Sequence, residues 1–452
     1  MGRKALIVLV ALLVGGAPPA TAAARKKHRH KRPDPVLTTL SQLQSQGGDA
    51  AGNVIAWRRV YGQAKSAARH LRGSARDNMR GVLDNLRYLA RHRLLAARAY
   101  PAFLILQRNV EWFWDDRNGA EPFGTRTTFP GSELIYEFYP GSGWQLQPLA
   151  NFGHLNGMLK IRHPKKGSLE SFADELLQIG VTRHGFLAFE YYFPWSGGPP
   201  GWVSGMATAT GMQAFSTLWK RDGDSRYLDA ARSMLPVFEQ GPPWGVRRRL
   251  HDGLFFLQYS QDPSLLVGNA YAQSILGLDT YAANTGDSTA AALVSDAVSA
   301  ARQILPLYDT GAWSLYYRTP RRAGAESDLS YHQLFESFLD EMCNRWQEPF
   351  CRLAGNFGRY ESEPVSITRL AARSDRRGRR LRVRFTISKR SGITVRLLHG
   401  TKTVRSYLAP MMRGSHLVTF PLPHSGRYQV EISAKSLNGI TSDAARPLKV
   451  HR

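Results

Sequence analysis

The sequence has few cysteines, few acidic residues and no recognisable metal-binding pattern. Only Cys343 and Cys351 are present among 452 residues, and two thiols are too few for an ordinary structural zinc site. They allow one disulfide, which would close a short loop and is chemically permitted in an exported protein. No H-E-x-x-H sequence or comparable ligand set occurs, so we expect neither a metal nor another cofactor.

Long apolar segments are also missing after the first residues of the chain. A basic start at Arg3 and Lys4, an apolar run over residues 5–14 and small residues at Ala20 and Ala22 are typical of a secretory signal peptide over residues 1–24. The apolar run is shorter than the about 20 residues that a membrane helix needs, although an uncleaved anchor is the alternative. We therefore expect a secreted or cell-envelope protein with no integral membrane segment after signal removal.

Acidic residues are outnumbered, with 35 Asp and Glu against 60 Lys and Arg and a net charge of +25. Such a charge attracts polyanions. For an exported protein we favour an acidic polysaccharide as the partner over nucleic acid, for which no usual motif is present. The run "RKKHRHKR" opens a basic segment, residues 25–50, that we expect to be a disordered linker.

The central part of the chain has helical periodicity interrupted by aromatic and glycine-rich connectors. Residues 51–122 are expected to form an N-terminal helical region. Residues 123–361 are expected to form an α/α toroid of paired helices whose connectors line a groove, with a β-containing insertion at its start. The candidate helices are 168–179, 203–220, 225–238, 268–284, 288–304, 330–342 and 345–354.

The last part of the chain has the two-residue alternation of β-strands. In "RLRVRFTI" the apolar residues Leu381, Val383, Phe385 and Ile387 alternate with polar ones. Several such runs, separated by turns, predict an immunoglobulin-like β-sandwich over residues 362–452. The predicted fold class is therefore a mainly α, multidomain protein with a C-terminal β-sandwich.

Two kinds of side chain stand out in the connectors. Trp195 and Trp202 flank a glycine- and proline-rich turn, where indoles suit the apolar faces of sugar rings, although capping of a hydrophobic core is the alternative. Tyrosines recur in the other connectors, at Tyr259, Tyr316 and Tyr331. The alternative for Tyr259 and Tyr316 is packing within a connector, and the alternative for Tyr331 is that it simply begins a helix with His332.

Three blocks together resemble the C-terminal domain of D-glucuronyl C5-epimerases. The blocks are "GWVSGMATATGMQAFSTLW", "QYSQDPSLLVGNAYAQSILGL", and "YDTGAWSLYY" followed by "SYHQLF". The resemblance spans roughly residues 190–345 and implies an α/α barrel that acts on glucuronyl residues of heparan-type precursors. By position it places the family's catalytic tyrosines on Tyr259, Tyr316 and Tyr331.

Abstraction of the C5 proton of a uronic acid produces an enolate-like dianion, which needs preorganised positive charge. We expect Arg318 to hold the carboxylate, with His332 beside it. We also expect Tyr259 on one face of the sugar and Tyr316 or Tyr331 on the other, with pKa values lowered by cationic neighbours. The remaining predicted substrate-binding residues are Trp195, Trp202, Gln258 and Asn269.

Two departures from the family leave other activities open. Gln258 stands where the family has a glutamate before its first tyrosine, and Arg318 follows Tyr316 by two residues instead of three. A polysaccharide lyase on the same scaffold and a non-catalytic glycan-binding envelope protein are the alternatives, and homodimerisation is left open. Weaker groove-lining candidates are Tyr136, Tyr139, Trp144, Asn151 and His154.

Overall fold

The computed structural model describes residues 33–47, 49–320, 324–375, 379–422 and 425–450. The predicted signal peptide, residues 1–24, lies outside these ranges. The predicted linker of residues 25–50 is wrong for the residues that are described, because α1 occupies Pro35–Gln46. Val36, Leu40 and Leu43 are buried on one side of this helix. Their spacing gives the helix an apolar face, but the basic residues that precede it led to the prediction of disorder.

The N-terminal region is helical as expected. It contains α1, α2 (Asp49–His70), α3 (Gly73–Arg91) and α4 (Ala99–Val110). In α3 the apolar stripe of Met79, Val82, Leu83, Leu86 and Leu89 is buried. None of the helices in the described ranges is both long and apolar enough to cross a membrane.

A small antiparallel sheet follows the N-terminal helices. Its strands β1 (Arg126–Thr127), β2 (Tyr136–Tyr139) and β3 (Gly143–Leu146) pair in that order. Residues on β2 alternate between two sides, so Tyr136 and Phe138 share one side while Glu137 and Tyr139 share the other. This alternation decides which side chains of β2 can reach the site described below.

Eight α-helices follow within the described residues, and short strand pairs lie in the connectors between them. The helices are α5 (Pro148–Leu159), α6 (Ser168–Ile179), α7 (Gly205–Asp222), α8 (Ser225–Met234), α9 (Gly268–Thr285), α10 (Ser288–Ile304), α11 (Leu329–Trp346) and α12 (Phe350–Ser362). The strands are β4 (Val181–Arg183), β5 (Phe186–Ala188), β6 (Arg247–Leu250), β7 (Gly253–Phe256), β8 (Leu266–Val267) and β9 (Tyr317–Arg318). The bounds of α6 and α10 equal the predicted ones.

The odd-numbered helices α5, α7, α9 and α11 lie side by side and point the same way. Gln273 of α9 donates to Thr210 Oγ1 of α7 at 3.2 Å. Further towards the C-terminal ends of both helices, Asn284 of α9 donates to Thr217 of α7, so α7 and α9 are parallel. Close packing is permitted by Gly277, where any Cβ would lie 2.5 Å from the carbonyl oxygen of Ala209. Parallel neighbours place the beginnings of these helices at one end of the layer.

The end of this region differs from the prediction. A helix was expected over residues 345–354, but α11 continues to Trp346 and α12 begins at Phe350. Gln347 adopts a positive φ of 56°, and Pro349 has no backbone N–H to continue a helix. Cys343 of α11 and Cys351 of α12 form a disulfide across this turn.

The described part of the C-terminal region contains seven strands in two antiparallel sheets. They are β10 (Ile367–Ser374), β11 (Arg380–Ile387), β12 (Ser391–His399), β13 (Lys402–Met411), β14 (Gly414–Pro421), β15 (Gly426–Ser436) and β16 (Thr441–Val450). The strand orders are β10-β11-β14 and β13-β12-β15-β16. Leu381, Val383, Phe385 and Ile387 are buried in a core that both sheets share. The protein as a whole is therefore a mixture of helices and sheets.

A buried ion triad joins the N-terminal helices to the connector after β5. Glu190, whose side chain is fully buried, accepts from Arg98 Nε at 2.6 Å and from Nη2 at 2.9 Å. It also pairs with Arg183, whose Nη1 donates to the carbonyl of Gly201 at 2.7 Å. The triad thereby fixes the connector that carries Trp202.

We expect Glu190→Gln to lower the free energy of unfolding by about 3–5 kcal/mol, because two buried guanidinium groups would lose the carboxylate that they share. Chemical denaturation of the two proteins measures the difference. Glu239→Gln, at an exposed position, is the control and should change the free energy by less than about 0.5 kcal/mol. Equal stabilities of Glu190→Gln and the wild type would show that the triad contributes nothing.

Candidate functional site

A cavity of about 1100 Å³ lies between the small β1–β3 sheet and the layer of parallel helices. Each of α5, α7, α9 and α11 contributes a stripe of lining residues from its first turn onwards. Aromatic side chains dominate the end where these helices begin, and amide and charged side chains dominate the other end. Seven of the nine residues predicted for catalysis or substrate binding line this cavity: Trp195, Trp202, Gln258, Tyr259, Asn269, Tyr316 and Tyr331.

The three predicted tyrosines lie together. The hydroxyl oxygens of Tyr259 and Tyr316 are 3.1 Å apart and share a hydrogen bond. The ring centroids of Tyr316 and Tyr331 are 4.8 Å apart. Tyr259 is 8% exposed and Tyr331 is 43% exposed, so the cluster runs from the cavity wall towards solvent.

Local backbone pairing positions Tyr316. Its N–H donates to the carbonyl of Ala325 at 2.8 Å, and its own carbonyl accepts from the N–H of Gly268, the first residue of α9, at 3.1 Å. The returning backbone passes so close that any Cβ at Gly324 would lie 1.6 Å from the carbonyl oxygen of Tyr317. A glycine at this position therefore allows the backbone to return beside Tyr317.

The C-terminal sheets hold the same connector from the other side. Buried Glu326, which pairs with Leu315 in an isolated bridge, accepts from the backbone N–H groups of Arg390 at 3.3 Å and Arg413 at 2.9 Å. Lys389 Nζ lies 5.3 Å from the ring centroid of Trp313. Contacts from the C-terminal sheets thus reach Glu326, the bridge partner of the residue that precedes Tyr316.

Burial sets the protonation of the tyrosine cluster. Loss of hydration raises the pKa values of Tyr259 and Tyr316, and it raises that of Tyr331 as well. The expectation that cationic neighbours lower these pKa values is wrong, because desolvation is the largest cause at all three residues. At neutral pH the three phenols are therefore proton donors.

Two side-chain amides lie beside the cluster. Asn269 is 3% exposed, and its Oδ1 has no hydrogen-bond partner among the described residues. Gln258 Oε1 accepts from Ser204 Oγ at 3.1 Å. Because a buried acceptor without a partner costs free energy, Asn269 is suited to accept from a ligand hydroxyl.

The two predicted tryptophans differ in their surroundings. Trp202 is stacked on Tyr191 with ring centroids 4.0 Å apart and donates from Nε1 to the carbonyl of Phe193, so one of its faces is covered. Trp195 is half-buried and stacks on exposed Phe123 at 6.0 Å. Trp195 and Phe123 are therefore the aromatic pair at the solvent side of the cavity.

Arg318 and His332 do not line the cavity, and the structure corrects both predictions. The Arg318 guanidinium lies 5.8 Å from the ring centroid of Tyr308, a core residue. His332 is fully buried, with Nε2 donating to the carbonyl of Phe357 at 3.0 Å and Nδ1 2.7 Å from Ser314 Oγ. Burial lowers the pKa of His332, so it is neutral and holds the connector in place.

Sequence reasoning missed an ion-paired carboxylate and cation that line the cavity on its sheet side. Glu137 is 7% exposed, lines the cavity and accepts from Arg126 Nε at 2.7 Å. Arg126 is cross-strand to Glu137 and also lines the cavity. The two terminal nitrogens of Arg126 have no partner among the described residues, so they can receive an anionic ligand.

The weaker candidates divide between lining and core. Tyr139 and His154 line the cavity. Tyr136 and Trp144 are fully buried in the core, and Asn151 bonds the backbone N–H and carbonyl of Ile135. Since Tyr139 was a candidate, strand alternation would have placed Glu137 on the same side.

Similarity to known proteins covers part of the chain. A family model described as D-glucuronyl C5-epimerase C-terminus matches residues 184–354. A D-glucuronyl C5-epimerase of Caenorhabditis elegans is 30% identical over 131 residues, which are 26% of this chain and 21% of that protein. An uncharacterized protein of Methanocaldococcus jannaschii is 24% identical over 133 residues, or 28% of this chain and 43% of that protein. The aligned region spans less than half the length of either curated relative.

Among solved structures, cellobiose 2-epimerase from Bacillus thermoamylovorans aligns with a TM-score of 0.40 and 9% identity, over 64% of this chain and 74% of that one. A TM-score below 0.5 establishes neither a shared fold nor a shared activity. The family match, by contrast, includes Tyr259, Tyr316 and Tyr331. The resemblance to the D-glucuronyl C5-epimerase family is therefore confirmed for residues 184–354, the part of the chain that carries the three tyrosines.

Proposed function

We propose that this protein is a carbohydrate epimerase that inverts C5 of uronic acid residues in an acidic polysaccharide. The observation that carries the proposal is the hydrogen-bonded Tyr259–Tyr316 pair in a cavity that also receives the Glu137 carboxylate and the Arg126 guanidinium. Proton donors, a proton acceptor and a cation are the groups that inversion next to a carboxylate requires.

The distance between the two phenols restricts their roles. A sugar ring cannot fit between hydroxyl oxygens that are 3.1 Å apart, so Tyr259 and Tyr316 act from the same face. This arrangement argues against the expectation that they act from opposite faces. The group on the other face must come from another wall of the cavity, and Glu137 on β2 is the carboxylate available there.

The proposed reaction begins at Glu137. A Glu137 oxygen takes the C5 proton, and the C–H electron pair moves into the sugar carboxylate to give an enolate-like dianion. The terminal nitrogens of Arg126 stabilise this charge through charge-assisted hydrogen bonds. In this proposal Arg126 has the carboxylate-binding role that the sequence predicted for Arg318.

Tyr316 then completes the inversion. Its hydroxyl gives a proton to C5 from the opposite face, and the electron pair returns from the carboxylate to form the new C–H bond. The resulting tyrosinate is stabilised by the hydrogen bond that Tyr259 donates. Proton exchange with solvent at the exposed side of the cluster, next to Tyr331, restores Glu137 and Tyr316.

We further propose the finer assignments of fold and location. The parallel inner helices with returning outer helices support an α/α toroid. The strand orders β10-β11-β14 and β13-β12-β15-β16 support an immunoglobulin-like sandwich. Export through the N-terminal signal would place the enzyme where acidic envelope polysaccharides occur.

Incubation with a uronate polymer in deuterated buffer tests the activity. An epimerase incorporates deuterium at C5 and inverts that carbon without shortening the chain, which NMR and size-exclusion chromatography measure. Unsaturated ends that absorb in the near ultraviolet would identify a lyase instead. Retention of the polymer without deuterium at C5 would identify a glycan-binding protein and contradict the proposal.

A further inference from the structure

The charge of the chain is distributed very unevenly. Residues 362–452 contain 19 Lys and Arg against 4 Asp and Glu, whereas residues 35–361 contain 33 against 30. The part that holds the cavity is thus almost neutral, and the sandwich carries most of the positive charge of the described protein. A charge concentrated in one region indicates a binding surface for a polyanion in that region.

Within the sandwich, the outer side of the three-stranded sheet is lined by arginines. Arg380, Arg382 and Arg384 are exposed at alternate positions of β11, so neighbours are about 6.6–6.8 Å apart. Arg373 of β10 is exposed and lies directly opposite Arg382 in the register. These four residues, Arg373, Arg380, Arg382 and Arg384, are called the arginine face below.

The guanidinium groups of the arginine face are not neutralised by ion pairs within the described residues. None of its four guanidinium groups forms an ion pair with a described residue, and the nearest carboxylate in sequence, Asp375, accepts from the backbone N–H of Arg379. Like charges directly opposite each other destabilise a sheet. An arrangement that opposes folding in this way is expected where the charges serve binding.

The rest of the same surface suits a sugar chain better than a nucleic acid. Beside the arginines it presents Thr419, opposite Arg382, and the hydrogen-bonded hydroxyl groups of Thr386 and Ser415. The outward positions on these paired strands carry no aromatic side chain, although single-stranded nucleic acids are usually bound by aromatic stacking. Hydroxyl groups and guanidinium groups match the hydroxyls and carboxylates of a uronate polymer.

We propose that the arginine face is a second binding site, which holds an acidic polysaccharide while the cavity acts on one of its residues. This inference rests on the proposed function for the identity of the polymer. The other sheet offers a matched contrast, because Arg396 on β12 lies opposite Glu431 on β15. Arg396 thus has a carboxylate residue directly opposite, whereas Arg382 has Arg373 and Thr419 opposite, and Arg384 has Ala371 and Leu417.

The test compares the full chain with two double variants of equal charge. Arg382→Ser/Arg384→Ser removes two charges from the arginine face, and Arg396→Ser/Arg427→Ser removes two from the outer side of the other sheet. Binding to immobilised hyaluronan and polygalacturonate, with dextran as the neutral control, is measured at several salt concentrations after circular dichroism has verified folding. We expect the first variant to bind about tenfold more weakly and the second to bind like the wild type.

Equal losses in both double variants would overturn the proposal, since they would indicate attraction by net charge alone. Duplex DNA is the last probe. If the wild type bound DNA more tightly than either uronate polymer, and if Arg382→Ser/Arg384→Ser lost that binding, the arginine face would be a nucleic-acid surface and the proposal would be overturned. If the wild type incorporates deuterium into a uronate oligosaccharide but binds neither polymer, the proposal of a second site is refuted and the proposed epimerase activity is supported. Polymer binding through the arginine face without any exchange would support the second site and refute the epimerase.

Discussion

Tyr316→Phe should lower the rate of C5 inversion by about 10²–10⁴-fold, because the substitution removes the hydroxyl that returns a proton to the second face. Only one oxygen atom is lost, and the ring contact with Tyr331 remains. NMR in deuterated buffer measures inversion and deuterium incorporation separately. For the epimer whose C5 hydrogen faces Glu137, incorporation with retained configuration should continue faster than inversion, since the acceptor on that face is intact.

Tyr317→Phe is the matched control for this prediction. Tyr317 is the next residue, is half-buried like Tyr316, and does not line the cavity. Its variant should invert C5 at nearly the wild-type rate. Comparable losses of the inversion rate in the two variants would mean that disturbance of the connector, and not removal of the Tyr316 hydroxyl, lowers the rate. Loss of exchange and inversion by the same factor in Tyr316→Phe would contradict separate groups on the two faces.

Periodicity was sufficient to predict most of the framework. The alternation of Leu381, Val383 and Phe385 identified a strand with one buried side, and helical spacing identified α10, whose N-cap Asp287 accepts from the N–H of Ala290. These signals are local, so they are present in the sequence. The helix α1 was missed because basic residues just before it suggested disorder, although Val36, Leu40 and Leu43 were correctly spaced.

The site was only partly predictable, because its electrostatics depend on contacts between distant segments. The resemblance brought Tyr259, Tyr316 and Tyr331 together correctly. The direction of Arg318 depends on where the Tyr308 ring packs, and no local pattern specifies that. The pKa values of the tyrosines were predicted to fall because Arg318 was placed beside them. With Arg318 elsewhere, burial dominates and raises them.

The position of Glu137 in the site was not predicted from the sequence. Its partner Arg126 is eleven residues earlier, and the pair forms only when β1 and β2 align in their observed register. A single acid among the aromatic residues of "YEFY" is nevertheless unusual, since a buried carboxylate is costly unless it is paired. Such a residue in a buried strand is a signal that could have identified the site.

Glu137→Gln should abolish both deuterium incorporation and inversion for the epimer whose C5 hydrogen faces this residue, with a loss of about 10²–10⁴-fold. The amide has the same shape but is not basic enough to accept the proton. This outcome differs from that of Tyr316→Phe, in which incorporation continues. The two variants together therefore assign one group to each face of the sugar.

Glu341→Gln provides the matched control, because Glu341 also lines the cavity and is also ion-paired, with Arg345 Nη2 at 2.7 Å. Glu341 lies three helical turns beyond Tyr331 on α11, at the end of the cavity far from the tyrosines, so its variant should retain most of the wild-type exchange. If Glu137→Gln kept more than about a tenth of that exchange, the proton acceptor would have to be another group.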